Sequence, residues 1–179
     1  RVLFRSCLKE YPIETLSKNN HSHVPRAVCM RSDGAAVLIG TQGAEILEVT
    51  MKDASLNVNS SQMRGHSSAL YAIASHPVKE NIFITAGDDA LLRVWDSKQR
   101  RVNKTMKLEL SARALAFHPS GSMFGIGFGN GQRVKGKMHA KEGSFALMAY
   151  DSLKIIHEGH DCTTWISTMA FSPNGKYLA

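Results

Sequence analysis

A histidine, a threonine and an aspartate fall within one short stretch of this 179-residue chain. They are His66, Thr85 and Asp89 in GHSSALYAIASHPVKENIFITAGDDALLRVWD, which runs from Gly65 to Asp96 and carries Trp95 near its end. Imidazole, hydroxyl and carboxylate are the groups of a nucleophile, base and orienter, so acyl transfer is the first chemistry to weigh. A second chemistry needs no substrate. A neutral imidazole can bridge a hydroxyl and a carboxylate, and an indole N–H needs a partner once it is buried. A complete network of this kind rigidifies a core, and a half-satisfied one is costly. What decides between the two is whether the surrounding elements hold the four groups inside or present them at an opening.

Other chemical patterns are weaker. His157, His160 and Cys162 lie close together, as do His21 and His23, but a structural zinc site wants four ligands in paired spacings, so no metal is expected. Glycines at 125, 127, 129 and 131 make GIGFGNGQ, which misses the G-x-G-x-x-G register and has no P-loop Lys-Ser/Thr. Their expected use is to let a strand narrow and turn. No nucleophile and base stand in a known spacing, so neither cofactor nor catalysis is expected.

The elements that must position His66, Thr85, Asp89 and Trp95 read as strands. Leu70 to Ser75 and Ile82 to Ala86 are short apolar runs rich in strand formers, and Leu91 to Trp95 alternates large apolar residues around Arg93. His76-Pro77 and the polar residues after it separate the first two runs, and Gly87-Asp88-Asp89 supplies turn chemistry between the second and third. The stretch is a meander, and it resembles one WD40 blade. The resemblance implies that His66, Thr85, Asp89 and Trp95 form a buried structural tetrad, with no access for a substrate.

Repeats follow. His76-Pro77 is echoed 42 positions later as His118-Pro119 and again as Ser172-Pro173, while MRSDGAAVLIG from Met30 to Gly40 has the same strand, turn, strand form. The spacing matches the roughly 40–45 residues of a propeller blade. The expected fold is all-β, a partial WD40 β-propeller of about three and a half blades of four-stranded antiparallel sheet. Blades are expected over about 24–63, 65–108 and 110–158, with a truncated fourth over 159–179 opened by Gly159-His160. Residues 1–23 are expected to be an outer strand of a preceding blade or an unstructured start, and the chain is expected to be a fragment. The first blade lacks a Trp-Asp ending, so its tetrad is expected to be absent. In the third, Tyr150 is expected to take the place of Trp, and residues from about Gln132 to Gly143 form an insertion, expected as an exposed loop.

Composition fits a soluble globular piece: 43% hydrophobic residues supply a core, and no run approaches a membrane span. Cys7, Cys29 and Cys162 are odd in number and without a CxxC pair, which implies no disulfide framework and a cytoplasmic protein. Charge is more telling. Lys and Arg total 22 against 15 Asp and Glu, a net +7, which favours polyanionic partners. One basic cluster, Lys98, Arg100, Arg101, Lys104 and Lys107, follows Trp95-Asp96; another, Arg133, Lys135, Lys137, His139 and Lys141, fills the insertion with Glu142 as its one carboxylate. Lys98, Arg100, Arg101, Lys104, Lys107, Arg133, Lys135 and Lys137 are the candidate partner-binding residues, although clusters of this kind are commonly only solvated faces. Neither is interleaved with stacking aromatics, so nucleic acid is not expected; nor is a membrane.

The wording narrows the resemblance. PRAVCMRSDGAAVLIGTQGAEILEV joined to GHSSALYAIASHPVKENIFITAGDDALLRVWD resembles the echinoderm microtubule-associated-protein-like family, above all in Ile39-Gly40-Thr41-Gln42-Gly43-Ala44-Glu45-Ile46 and Thr85-Ala86-Gly87-Asp88-Asp89. The longer members, built of several such units, are the nearer match. The resemblance implies a non-catalytic cytoskeletal protein that binds microtubules or tubulin and influences microtubule dynamics. The alternative is a generic WD40 scaffold, such as a substrate receptor in a ubiquitin ligase complex, for which the fold alone speaks.

Overall fold

The computed structural model describes residues 24–42, 45–51, 63–131, 133–134 and 137–179. Residues 1–23, where an outer strand was one expectation, lie outside this set, as do Cys7, Gln132 and Lys135.

The described residues form three four-stranded antiparallel sheets and one small hairpin. The first sheet is β1 (Pro25–Met30), β2 (Ala36–Thr41), β3 (Glu45–Thr50) and β4 (Met63–Arg64). The second is β5 (Leu70–Ser75), β6 (Ile82–Gly87), β7 (Leu91–Asp96) and β8 (Arg101–Lys107). In the third, β9 (Ala112–Phe117), β10 (Met123–Phe128), β13 (Ser144–Ala149) and β14 (Ile155–His160) pair in that order, and the hairpin of β11 (Arg133–Val134) and β12 (Lys137–Met138) is inserted after β10. The expected strands of the Gly65–Asp96 stretch are present, two of them extended by one residue, to Gly87 and Asp96.

Each sheet is a meander whose first strand abuts the first strand of the next: β1 lies beside β5, and β5 beside β9. The sheets therefore stand radially about an axis lined by β1, β5 and β9, which is propeller architecture, and among the described residues they do not close into a ring. Strand alternation sends successive side chains to opposite faces, so each sheet has two apolar faces to bury. Leu38, Ile46, Leu70, Ile73, Phe83 and Trp95 fill the space between the first and second sheets. Ile84, Leu92, Val94, Phe124, Ile126 and Met148 fill that between the second and third. Each such side chain contributes about 1.5–3 kcal/mol by leaving water.

Adjacent sheets are also stitched at one end by histidine. The buried His76 ring lies 4.9 Å from Phe117 and 4.7 Å from Tyr150 of the next sheet, and its Nδ1 accepts the backbone N–H groups of Val78 and Lys79. Gly121 makes room for it: a Cβ there would sit 2.3 Å from the ring, at a φ of +72°. His118 repeats the arrangement, 5.2 Å from Phe171, and a Cβ on Gly175 would come within 2.2 Å of its Nε2.

The register corrects one expectation. Phe83 pairs with Trp95, and the matching pair in the third sheet is Phe124 with Met148. Met148, not Tyr150, occupies the tryptophan's place. Tyr150 lies one residue past β13, in the turn, where it serves the His76 contact. The ring is buried there against His76 and Phe117. Gly159-His160 also differs from expectation in its setting, since both residues end β14 and His160 Nε2 donates to the Glu142 carbonyl at 2.7 Å.

Candidate functional site

The four side chains singled out in the Gly65–Asp96 stretch meet in one network. β6 presents Thr85 and β7 presents Trp95 on the same face, while Gly65-His66 enters from the β4–β5 connection and Asp89 from the β6–β7 turn. Meander connections alternate between two ends, so these last two arrive at the same end. Trp95 Nε1 donates to Thr85 Oγ1 at 2.7 Å, and Thr85 Oγ1 lies 2.7 Å from His66 Nε2. His66 Nδ1 is 2.9 and 3.0 Å from the two Asp89 oxygens. Indole can only donate, so one consistent chain results: Trp95 to Thr85, Thr85 hydroxyl to a neutral His66, and His66 Nδ1–H to Asp89. Asp89 further accepts the Ser67 and Leu91 backbone N–H groups at 3.2 Å.

Arg93 also belongs to the network and was not singled out from the sequence. Its Nη1 donates to Asp89 Oδ2 at 2.9 Å and lies 2.8 Å from His66 Nδ1. In the tautomer above both nitrogens are donors, so they share the carboxylate without bonding each other. Its position in LLRVWD, on the Trp95 face of an alternating strand, was the available signal.

Burial pushes the His66 imidazole below its ordinary value, the Asp89 carboxylate opposes this, and the Arg93 charge adds to it. Burial works against ionisation of Asp89, yet bonds from His66 and Arg93 outweigh it and hold the carboxyl low. The expected state is a neutral histidine beside a carboxylate neutralised by arginine. Thr85 is 0% and Trp95 1% exposed. A hydroxyl so enclosed, bonded on both sides, has no approach for a carbonyl carbon, and the arrangement holds a sheet together.

The equivalent positions in the other sheets are apolar. Ile39 and Ile126 stand where Thr85 stands, and Val49 and Met148 where Trp95 stands, by strand register. The third sheet instead buries Glu142, whose carboxylate accepts the Gly131 N–H at 2.9 Å and the Asn130 N–H at 3.3 Å. This explains the glycines in GIGFGNGQ. Gly129, at a φ of +127°, abuts the Glu142 carboxylate and the Trp165 Cα, Gly131, at +72°, faces the Trp165 ring, and a Cβ on Gly127 would strike Ile166.

The two basic clusters are not brought together. Lys98 and Arg100 occupy the β7–β8 turn, whereas Arg133 and Lys137 lie in the inserted hairpin between β10 and β13, at the opposite end of the sheets. Arg101, Lys104 and Lys107 run along β8, the outermost strand of the second sheet, all exposed. Lys104 bonds the Asp151 carbonyl and lies 5.9 Å from the Tyr150 ring centroid. Lys141 is paired with Glu109 at 3.2 Å and Glu158 at 3.1 Å, so Glu142 is not the insertion's only counter-charge.

A different cluster was missed. Arg26 of β1, Tyr71 of β5 and Arg113 of β9 line one cavity of about 270 Å³ at the axis, together with Ser167 and Thr168. Arg113 and Arg26 lie 4.1 and 5.6 Å from the Tyr71 ring centroid. Counting back five residues from Arg31, His76, His118 and Ser172 reaches Arg26, Tyr71, Arg113 and Ser167, so aligning the repeats would have found them.

Comparison with known proteins agrees with this geometry. The family described as "WD domain, G-beta repeat" matches residues 57–96 and 151–179. This is part of a WD40 β-propeller. Among curated proteins, the WD40 chain is 30% identical over 117 residues to echinoderm microtubule-associated protein-like 2 of Rattus norvegicus, covering 65% of this chain and 16% of that one. It is 27% identical over 142 residues to echinoderm microtubule-associated protein-like 3 of Homo sapiens, covering 76% and 14%. The 77 kDa echinoderm microtubule-associated protein of Lytechinus variegatus is 29% identical over 117 residues, covering 65% and 16%. The WD40 chain thus spans about a sixth of the length of these relatives. A chain of the mitotic checkpoint complex superposes with a TM-score of 0.68 at 18% identity, covering 86% of this chain and 46% of that chain. U3-55K superposes at 0.67 and 11%, covering 87% and 44%. Both show the fold.

Proposed function

We propose that this WD40 segment belongs to a non-catalytic, cytoplasmic protein of the cytoskeleton that associates with microtubules or tubulin and modulates microtubule dynamics. The observation that carries the reading is similarity to relatives from rat, human and sea urchin named as microtubule-associated. Charge supports it: the chain is +7, and the exposed lysines and arginine of β8 with Lys98 offer a cationic rim to an acidic partner. The His66, Thr85 and Asp89 groups are taken up by the structural network, which leaves contact surfaces as the means of action. Rim contacts of this type set association rate and salt sensitivity more than ultimate affinity.

Co-sedimentation of the intact protein with stabilised microtubules at low and high salt is the test. The expected result is pelleting at low salt that falls as salt is raised. A protein that stays in the supernatant at low salt and fails to retain soluble tubulin overturns the reading.

A further inference from the structure

Asparagine followed by glycine is a pair that rearranges without an enzyme, because no Cβ on the glycine shields its nitrogen from the neighbouring side-chain amide. The chain has two such pairs, Asn130-Gly131 and Asn174-Gly175, and the fold holds them differently.

Asn174-Gly175 occupies an exposed turn of the fourth repeat, between the bridged residues Phe171 and Leu178. Gly175 takes a φ of +72° there, and its N–H donates to the Ser172 carbonyl at 2.8 Å. The Asn174 side-chain oxygen accepts two donors, the Ser172 hydroxyl at 2.7 Å and the Lys176 N–H at 3.0 Å. A backbone N–H can only donate, which fixes oxygen and not nitrogen as the atom facing it. Two donors on an amide oxygen draw charge from its carbon, and they stand where negative charge gathers when a nucleophile adds to that carbon. Nδ2 bonds none of the described residues, so the leaving group departs directly to water.

Asn130-Gly131 is the opposite case. Asn130 Nδ2 donates to Ser111 Oγ at 3.1 Å, and the Asn130 and Gly131 N–H groups are both committed to the Glu142 carboxylate, at 3.3 and 2.9 Å. Both residues are half-buried. Nucleophile and leaving group are each held by a third partner.

We infer that Asn174 is a self-modifying site, its amide polarised by Ser172 and the Lys176 N–H and converted to isoaspartate and aspartate by the Gly175 nitrogen and water. The Gly175 N–H first leaves the Ser172 carbonyl and gives its proton to solvent base. A bond then forms between Gly175 N and Asn174 Cγ, with the oxyanion on Oδ1 between its two donors. The Cγ–Nδ2 bond breaks, the nitrogen takes a proton from water, and ammonia departs to leave a cyclic imide. Water opens the imide at the side-chain carbonyl to give aspartate, or at the main-chain carbonyl to give isoaspartate. The modification involves no partner protein and stands apart from the cytoskeletal association.

The turn is also a junction. A Cβ on Gly175 would come within 2.2 Å of His118 Nε2, so the His118 ring of the third repeat is seated on this glycine. Isoaspartate adds a carbon to the main chain immediately before Gly175 and displaces that seat, whereas aspartate keeps the backbone as it is.

The test incubates the intact protein at neutral pH and body temperature, folded and in urea, and follows both Asn-Gly pairs by peptide mapping. In the folded protein Asn174 is expected to convert at least about 10-fold faster than Asn130, and in urea the two rates should converge. Ser172→Ala is expected to slow conversion at Asn174 roughly 10-fold, the scale of one hydrogen bond, and Ser172→Thr, which keeps the hydroxyl, to react as the parent does. Amide exchange over His118–Ser122 should accelerate in the isoaspartate fraction. Asn130 reacting as fast as Asn174 in the folded protein, a preference for Asn174 that persists in urea, a Ser172→Ala variant as fast as the parent or faster, or unaltered exchange over His118–Ser122 in the isoaspartate fraction overturns the inference.

Discussion

Replacing Thr85 by valine probes the tetrad with little change of shape. The hydroxyl is the sole shared partner of Trp95 Nε1–H and His66 Nε2, at 2.7 Å from each, in a place with 0% exposure. Valine fills the same volume, so no cavity term arises, but an indole donor and an imidazole lone pair are left without water. Each stranded group costs about 1–3 kcal/mol, giving roughly 2–6 kcal/mol together. The cost falls on β5 to β7, the strands that the network ties. Amide hydrogen exchange in the intact protein reads it there: at about 1.4 kcal/mol per decade, exchange in Leu70–Asp96 should accelerate roughly 30- to 20,000-fold. Thr85→Ser, which keeps the hydroxyl, should cost only about 1 kcal/mol for the lost methyl. Adding Trp95→Phe to Thr85→Val removes the stranded donor, so the pair should cost less than the sum of its parts. Acceleration under about threefold in Thr85→Val, or strict additivity with Trp95→Phe, refutes the network as a stabilising unit.

Four further outcomes follow from the same geometry. His66 and His76 are both held below their ordinary value, chiefly by burial, so folding favours their neutral forms. Their contribution is complete above about pH 6.5 and is lost as pH falls toward the lower folded values, so the urea midpoint should drop between pH 7.5 and 5; a rise contradicts this. Asp33, held at about 2 by the Arg31 guanidinium and the Ala35 N–H, contributes in full only above about pH 4, so amide exchange in the β1–β2 turn should accelerate as pH falls from there through about 2, and a turn unchanged over that window contradicts this. Gly121→Ala places a methyl 2.3 Å from the His76 ring at a φ of +72°, and should lower the melting temperature by more than the 0.4–1 kcal/mol scale of ordinary glycine changes; adding His76→Ala should recover part of the loss, and no recovery speaks against the contact. Glu142→Gln replaces one acceptor oxygen by an amide donor facing the Asn130 and Gly131 N–H groups, costing about 1–3 kcal/mol and exposing those amides to exchange, with unchanged protection as the contrary result.

Much of this was legible in sequence because strands and turns are local. Leu70–Ser75 and the Gly87-Asp88-Asp89 turn are written in neighbouring residues, and the tetrad is written in a blade pattern whose spacing fixes its members. What stayed hidden depends on register and on neighbouring sheets. Tyr150 looks like a tryptophan substitute until pairing puts Met148 opposite Phe124. Lys141 looks unpaired until Glu109 of the β8–β9 connection and Glu158 of β14 are brought to it. Arg26, Tyr71 and Arg113 are unremarkable singly and come to line one cavity only when the axis collects one residue from each repeat.

The histidine stitch has a bearing on how such a chain can change by descent. The second repeat projects His76 and the third receives it with Gly121; the third projects His118 and the fourth receives it with Gly175. The first repeat has Arg31 at the projecting place, and the second correspondingly has no glycine at the receiving one, in HPVKEN. Donor and socket thus match across each junction and not within a repeat. Duplicating the second repeat would set a ring against a Cβ and deleting it would leave a socket empty, whereas the third, which carries both His118 and Gly121, can be copied or lost with its junctions matched. The heritable unit is the junction, and it fixes the place of the second repeat.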